Sequence, residues 1–181
     1  LIEEGIEGQE GYGDMKRSRD LTRRVIGFTG DETFPTQRQL NRLQALLCCD
    51  DELHHGDCVG SDAAAHDIGT SLGCKLVIHP PDNPRKRAFC NGPFILDPKP
   101  YLVRNMDIVR VCDELIALSS TNWERLRSGT WATIRYARRM GKPVTIITPS
   151  GRLFNGFGSN PTRYDNSSLN NSGSNENGDR T

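Results

Sequence analysis

Five short apolar runs alternate with four stretches of helical periodicity, and the runs are continuous instead of alternating apolar with polar. The runs are Val25-Ile26-Gly27-Phe28-Thr29, a short strand ahead of His54-His55-Gly56, Lys75–His79, Glu114–Leu118 and Pro143–Ile147. A strand that is apolar at every position is covered on both faces. Strands of that kind separated by helices require a parallel sheet with helices on both sides. The expected fold is therefore α/β, a Rossmann-like three-layer α/β/α arrangement with a mainly parallel five-stranded sheet. The expected helices are Thr36–Cys49, with Leu40, Leu43 and Leu47 in step and Thr36 as cap, then Ser61–Leu72, Tyr101–Cys112 and Gly129–Met140.

The flanks lack this pattern. Three segments are expected: a flexible N-terminal stretch (1–24), one Rossmann-like domain (25–151) and a disordered polar tail (152–181) rich in Asn, Ser and Gly. Residues 1–14 carry five acids and no base, which leaves 20 bases against 15 acids in residues 15–149. A mildly positive body suits a small anion and falls short of a duplex binder's basic footprint, so nucleic acid is not the expected partner. No run of 18 apolar residues is present, so no membrane span is expected. The six cysteines form no C-x-x-C pair. Cys48, Cys74 and Cys112 lie in or beside apolar stretches and are read as reduced core thiols of a cytoplasmic protein. His54-His55 with Asp57 and Cys58 fits no familiar zinc spacing, so no metal is expected.

In such folds ligands bind beyond the carboxyl ends of the strands. Three strand ends lead into Thr29-Gly30-Asp31, Gly56-Asp57-Cys58-Val59-Gly60-Ser61-Asp62, and Ser119-Ser120-Thr121-Asn122 followed by Ser128-Gly129-Thr130. Two helices starting at Ser61 and Gly129 would direct free amides and positive dipole ends into one crevice. The expected phosphate-binding residues are Thr29, Gly30, Gly56, Gly60, Ser61, Asp62, Arg104, Asn105, Ser128, Gly129 and Thr130. Asp62 and His66 share a helix face, and with Glu124 they are the candidate catalytic groups. Residues 80–100 hold six of the ten prolines together with Arg85, Lys86 and Arg87. They read as a basic loop able to fold over a phosphate. Trp123 and Trp131 are candidates for stacking on a base, Trp131 equally for the core.

The stretch GDCVGSDAAAH (56–66) resembles the G-x-x-x-G-x-D-A-A-A-H segment of the DNA-processing protein A (Smf/DprA) family. Arg104-Asn105 with Ile108, then Ser128-Gly129-Thr130, Ala137, Gly141-Lys142-Pro143-Val144 and Pro149 follow that family's order. The chain is also similar to the LOG phosphoribohydrolases, which carry a G-G-x-G-T-x-x-E turn. Together these families form the SLOG superfamily, and the resemblance spans residues 25–151. It implies a pocket for a nucleotide or nucleotide-derived small molecule, held for sensing, sequestration or delivery; no separate cofactor is expected. Self-association is common in the superfamily, so a homodimer is among the expectations. The LOG turn's catalytic glutamate is replaced by Thr133 here, which argues for binding over N-glycosidic hydrolysis. The small size argues against the single-stranded DNA role of the DNA-processing proteins. Hydrolysis and single-strand binding stand as the alternatives.

Overall fold

The structure, a computed structural model, describes residues 23–155. The expected flexible stretch and polar tail lie outside the described residues except at their inner ends. The elements in chain order are β1 (Val25–Gly30), α1 (Gln37–Leu46), β2 (Glu52–His55), α2 (Ser61–Leu72), β3 (Lys75–Ile78), β4 (Phe94–Ile95), α3 (Tyr101–Val111), β5 (Glu114–Leu118), α4 (Gly129–Arg139), β6 (Val144–Ile147) and β7 (Leu153–Asn155). They form one sheet in the order β4-β3-β2-β1-β5-β6-β7. All pairings are parallel except β6 with β7.

The fold is α/β with a mostly parallel sheet of seven strands, not five. The five expected strands make up its centre. The two additional strands are short edges that carry no long apolar run, so periodicity does not mark them. β7 lies inside the expected tail. Gly151, at φ +79°, turns the chain back, and Phe154 packs on the core. At the other end, Arg24 belongs to the folded body. Its guanidinium grips Asp51 at 2.7 and 3.0 Å and reaches Glu114 at 3.0 Å, tying together the amino ends of the central strands.

Side-chain alternation sorts the core into two layers. Ile116 and Leu118 of β5 face the layer that holds Leu43 of α1 and Ala65 of α2. Leu115 and Ala117 face the layer that holds Val109 of α3 and Trp131, Ile134 and Ala137 of α4. The bare face of Gly27 admits α3, because a Cβ there would lie 2.9 Å from Cys112 Sγ. Thr36 caps α1 in a capping box with Gln39. Cys58 and Cys112 are buried, Cys48 and Cys49 are exposed, and all six cysteines are free. The core placement expected for Cys48 is therefore corrected: α1 ends at Leu46, and the chain has turned outward before the thiol is reached.

Candidate functional site

The strand order reverses between β1 and β5, since the chain runs outward to β4 on one side and to β7 on the other. The connections leaving these two neighbours diverge, and a crevice opens at their carboxyl ends. It measures about 360 Å³ and is lined by Gly30 at the end of β1 and residues 31–33 after it, Ser120 after β5, Tyr101, Arg125, Arg127 and the start of α4, Ser128-Gly129-Thr130.

Asp31 forms the floor. Its carboxylate accepts the Ser120 amide at 2.7 Å, the Thr130 hydroxyl at 3.1 Å and the Ser128 hydroxyl at 3.5 Å. Thus the protein's own carboxylate already faces the first turn of α4. Ser128 also caps that helix, its Oγ accepting from the Trp131 amide at 3.3 Å. Tyr101 forms a wall. Its ring sits on the Arg104 guanidinium, 4.9 Å away, and its hydroxyl lies 2.5 Å from where a Gly129 Cβ would stand. Glu32 at the lip pairs with Lys86. That leaves Arg125 and Arg127 as the cations lining the crevice, against Asp31.

Of the expected phosphate-binding residues, Gly30, Ser128, Gly129 and Thr130 line this crevice. Ser61 lines a smaller adjoining cavity, and the remaining ones line neither, because the expected pair of facing helix tips is not formed. The tip of α2 is covered by the segment after β1. The Ser61 amide donates to the Asp31 carbonyl at 3.2 Å, and the Ala63 amide donates to the Cys58 carbonyl at 3.2 Å. Gly60, at φ +85°, lies under the backbone of Glu32, whose carbonyl oxygen would be 2.2 Å from a Cβ. Ser61 meets Gly30 directly; its Cβ lies 2.2 Å from where a Gly30 Cβ would be. Thr29 is buried within β1.

Arg104 is buried as well, which corrects its expected role as a phosphate ligand. Its Nη2 donates to Cys58 Sγ at 2.9 Å and lies 3.7 Å from Asp62. A Cβ on Gly56 would fall 1.3 Å from its Nη1. Asp62 accepts the Cys58 amide at 3.1 Å. Burial pushes its pKa up, and Arg104 works against that rise. Asn105 donates to the Thr133 hydroxyl at 2.8 Å, and that hydroxyl donates in turn to the Gly129 carbonyl at 3.0 Å. Thr133 is therefore a neutral brace between α3 and α4. Glu124 pairs with Arg135 at 2.9 Å and does not line the crevice. Trp131 is in the core.

The 80–100 segment is fastened down, contrary to the lid expectation. Asp57, fully buried at φ +57°, accepts from Arg87 Nε and from the Cys90 amide, both at 2.8 Å. Its carbonyl accepts the Ala88 amide at 2.8 Å.

The four histidines form two pairs on opposite faces of β2. His54 meets His79 at 2.9 Å and Glu52 at 2.9 Å. His55 meets His66 at 3.0 Å, on the α2 side. Burial drives both His55 and His79 down to about 3. His55, His66 and Cys90 each bring one metal-ligating atom within 4.8 Å of the others, a trio drawn from three separate segments. The Asp57 amide donates to His55 Nδ1 at 3.3 Å. The ring hydrogen therefore sits on Nε2, where it donates to His66 and leaves no lone pair for a cation. Burial, reinforced by Asp57, pushes the Cys90 thiol up to about 12. Asp62 and His66 thus belong to a buried polar cluster beyond β2, outside the crevice.

Sequence reasoning missed Tyr101, Arg125 and Arg127, and it left Asp31 and Ser120 off the site. Asp31 directly follows β1 and Ser120 lies two residues beyond β5, at the strands that flank the switch point, so strand order would have found them. Arg125 and Arg127 lie in a loop without periodicity and give no such signal.

No protein-family model matches the sequence, and no curated protein is significantly similar to it. Among solved structures, the molybdenum cofactor binding protein from the phototrophic bacterium Rippkaea orientalis superposes with a TM-score of 0.56 at 20% identity. The match covers 70% of this chain and 77% of that one. The protein TM1055 matches with a TM-score of 0.52 at 16% identity, over 67% and 72% of the two chains. These likenesses show a shared Rossmann-like α/β fold. Among the described residues no helix is long and apolar enough to cross a membrane.

Proposed function

We propose that this chain is a SLOG-type domain that binds a phosphate-bearing, nucleotide-derived small molecule in the crevice between β1 and β5. One observation carries the reading. A cavity of about 360 Å³ lies at the switch point, with two arginines and the hydroxyl-rich start of a helix on its walls. Asp31 already occupies the acceptor position nearest the helix. The ligand's phosphate accordingly belongs with Arg125 and Arg127, where guanidinium groups suit phosphate oxygens, and its hydroxyl groups belong with the Asp31 carboxylate. A protein of the same fold binds the molybdenum cofactor, by its name, so a small-molecule role has a precedent in this architecture.

Thermal-shift and mass-spectrometric screening against nucleoside mono- and diphosphates, NAD and ADP-ribose tests the proposal. Binding of at least one of these compounds without conversion is expected. Absence of binding by any of them overturns it. N-glycosidic hydrolysis is the second reading, favoured by the Asp31 carboxylate, which lines the crevice where Thr133 does not. Release of free base from a bound nucleotide would establish it.

A further inference from the structure

A smaller cavity of about 100 Å³ adjoins the crevice, with Thr33 and Ser120 lining both. Phe34, Pro35, Leu118 and Pro149 give this annex its apolar walls. Phe34 is 74% exposed, more than any other aromatic side chain among the described residues.

The backbone on either side of Phe34 is anchored. The Thr33 carbonyl accepts from Ser61 Oγ at 3.4 Å, and Thr36 Oγ1 donates to the Pro149 carbonyl at 2.9 Å. The ring therefore projects from a segment that is tied down on both sides. The polar groups beneath it are engaged with one another. Gln39 donates to the Ser119 and Ile147 carbonyls at 2.9 and 3.0 Å and accepts from the Thr36 amide at 3.1 Å. The annex therefore offers the Phe34 ring and apolar walls beside polar groups that are largely engaged with one another.

We infer that the annex receives the planar base of a nucleotide, stacked on Phe34, while the phosphate lies in the main crevice beside Arg125 and Arg127. This rests on the nucleotide reading above and narrows it to an intact base-bearing ligand, recognised by stacking and tolerant of base identity. A lone exposed phenylalanine is ordinary on a protein surface. Phe34 differs in standing where an apolar pocket joins a polar, arginine-lined one.

Calorimetric titration of the native chain, Phe34→Ala and Phe34→Tyr with AMP, CMP and ribose 5-phosphate tests the inference. AMP is expected to bind about tenfold more tightly than ribose 5-phosphate, with CMP within a few-fold of AMP. Phe34→Ala should bring AMP to the level of ribose 5-phosphate without changing the latter, and Phe34→Tyr should retain the difference. The inference is overturned if the native chain binds AMP and ribose 5-phosphate alike, or if Phe34→Ala weakens both equally or neither. Should ribose 5-phosphate and both nucleotides all fail to bind the native chain, the stacking site falls, and the phosphate reading falls with it if the wider screen above is negative as well.

Discussion

Gly56 has no room for even one methyl group, because the Arg104 guanidinium fills the space that a Cβ would need. Arg104 cannot retreat cheaply. It is buried, bonded to Cys58 and stacked on Tyr101. Gly56→Ala is therefore expected to cost about 1–3 kcal/mol as an overpacking defect, read as a lowered urea midpoint; an unchanged midpoint would mean that Arg104 has another place to go. The histidines give a second prediction at this scale. His55 and His79 titrate near 3 in the folded chain, against an ordinary value of 6.5, because burial penalises the charged ring. The unfolded chain takes up protons below about pH 6.5, while these two sites in the folded chain refuse them until about pH 3. Their stabilising contribution is thus full above pH 6.5 and drains away as pH falls toward 3. Urea unfolding at pH 7, 6, 5 and 4 should show a steady decline, and a flat profile would place the histidine protons elsewhere.

The two helices that begin with a glycine or serine turn look alike as sequence and behave differently as elements. The start of α4 opens on the crevice, with Ser128 as its cap. The start of α2 is sealed by the chain segment leaving β1. Substitutions at the two tips should therefore separate. Gly60→Val forces a branched residue into a positive φ and against the Glu32 backbone, and should cost more than about 3 kcal/mol. Ser128→Ala removes one cap and should cost about 1 kcal/mol, while taking a hydroxyl out of the crevice. Chemical denaturation of the two variants checks the order. Equal losses would mean that the α2 tip is as open as that of α4. The edge strands make a related point. β4 and β7 exist because β3 and β6 present unpaired edges to them, and their own residues carry little strand signal.

Across the whole molecule, the carboxyl edge of the sheet carries two polar groupings that the sequence motif runs together. One is the solvent-reaching crevice at the β1/β5 switch point. The other is the buried cluster of Asp62, Arg104, Cys58 and the His55–His66 pair beyond β2. Their separation predicts a split in variant behaviour. Arg127→Ala should weaken AMP binding about tenfold, as expected for a lost charge-assisted phosphate contact worth about 1.5 kcal/mol. His66→Gln should leave AMP affinity within a factor of two. Titration of both variants at one ionic strength reads this out, and the reverse order would move the site to the α2 side. Most of the architecture was legible from the sequence, because burial on two faces writes itself as continuous apolar runs and helix faces as 3.6-residue periodicity. The bounds of α2 and β5, the Thr36 cap and the three-layer arrangement all follow from such local signals. The lining of the crevice was legible only in part. Gly30, Ser128, Gly129 and Thr130 could be placed at the edge where the crevice opens because they adjoin strands and a helix start. Which of two glycine-marked helix tips stays open depends on where the Asp31–Thr33 backbone passes. Whether Arg104 reaches solvent depends on a space left by Gly56, 48 positions away in the chain. The meeting of Asp31 with Thr130, and of His55 with His66 and Cys90, is likewise set by strand order and long-range packing. Those are relations between distant segments, fixed by how the layers close on one another, and local periodicity carries no record of them.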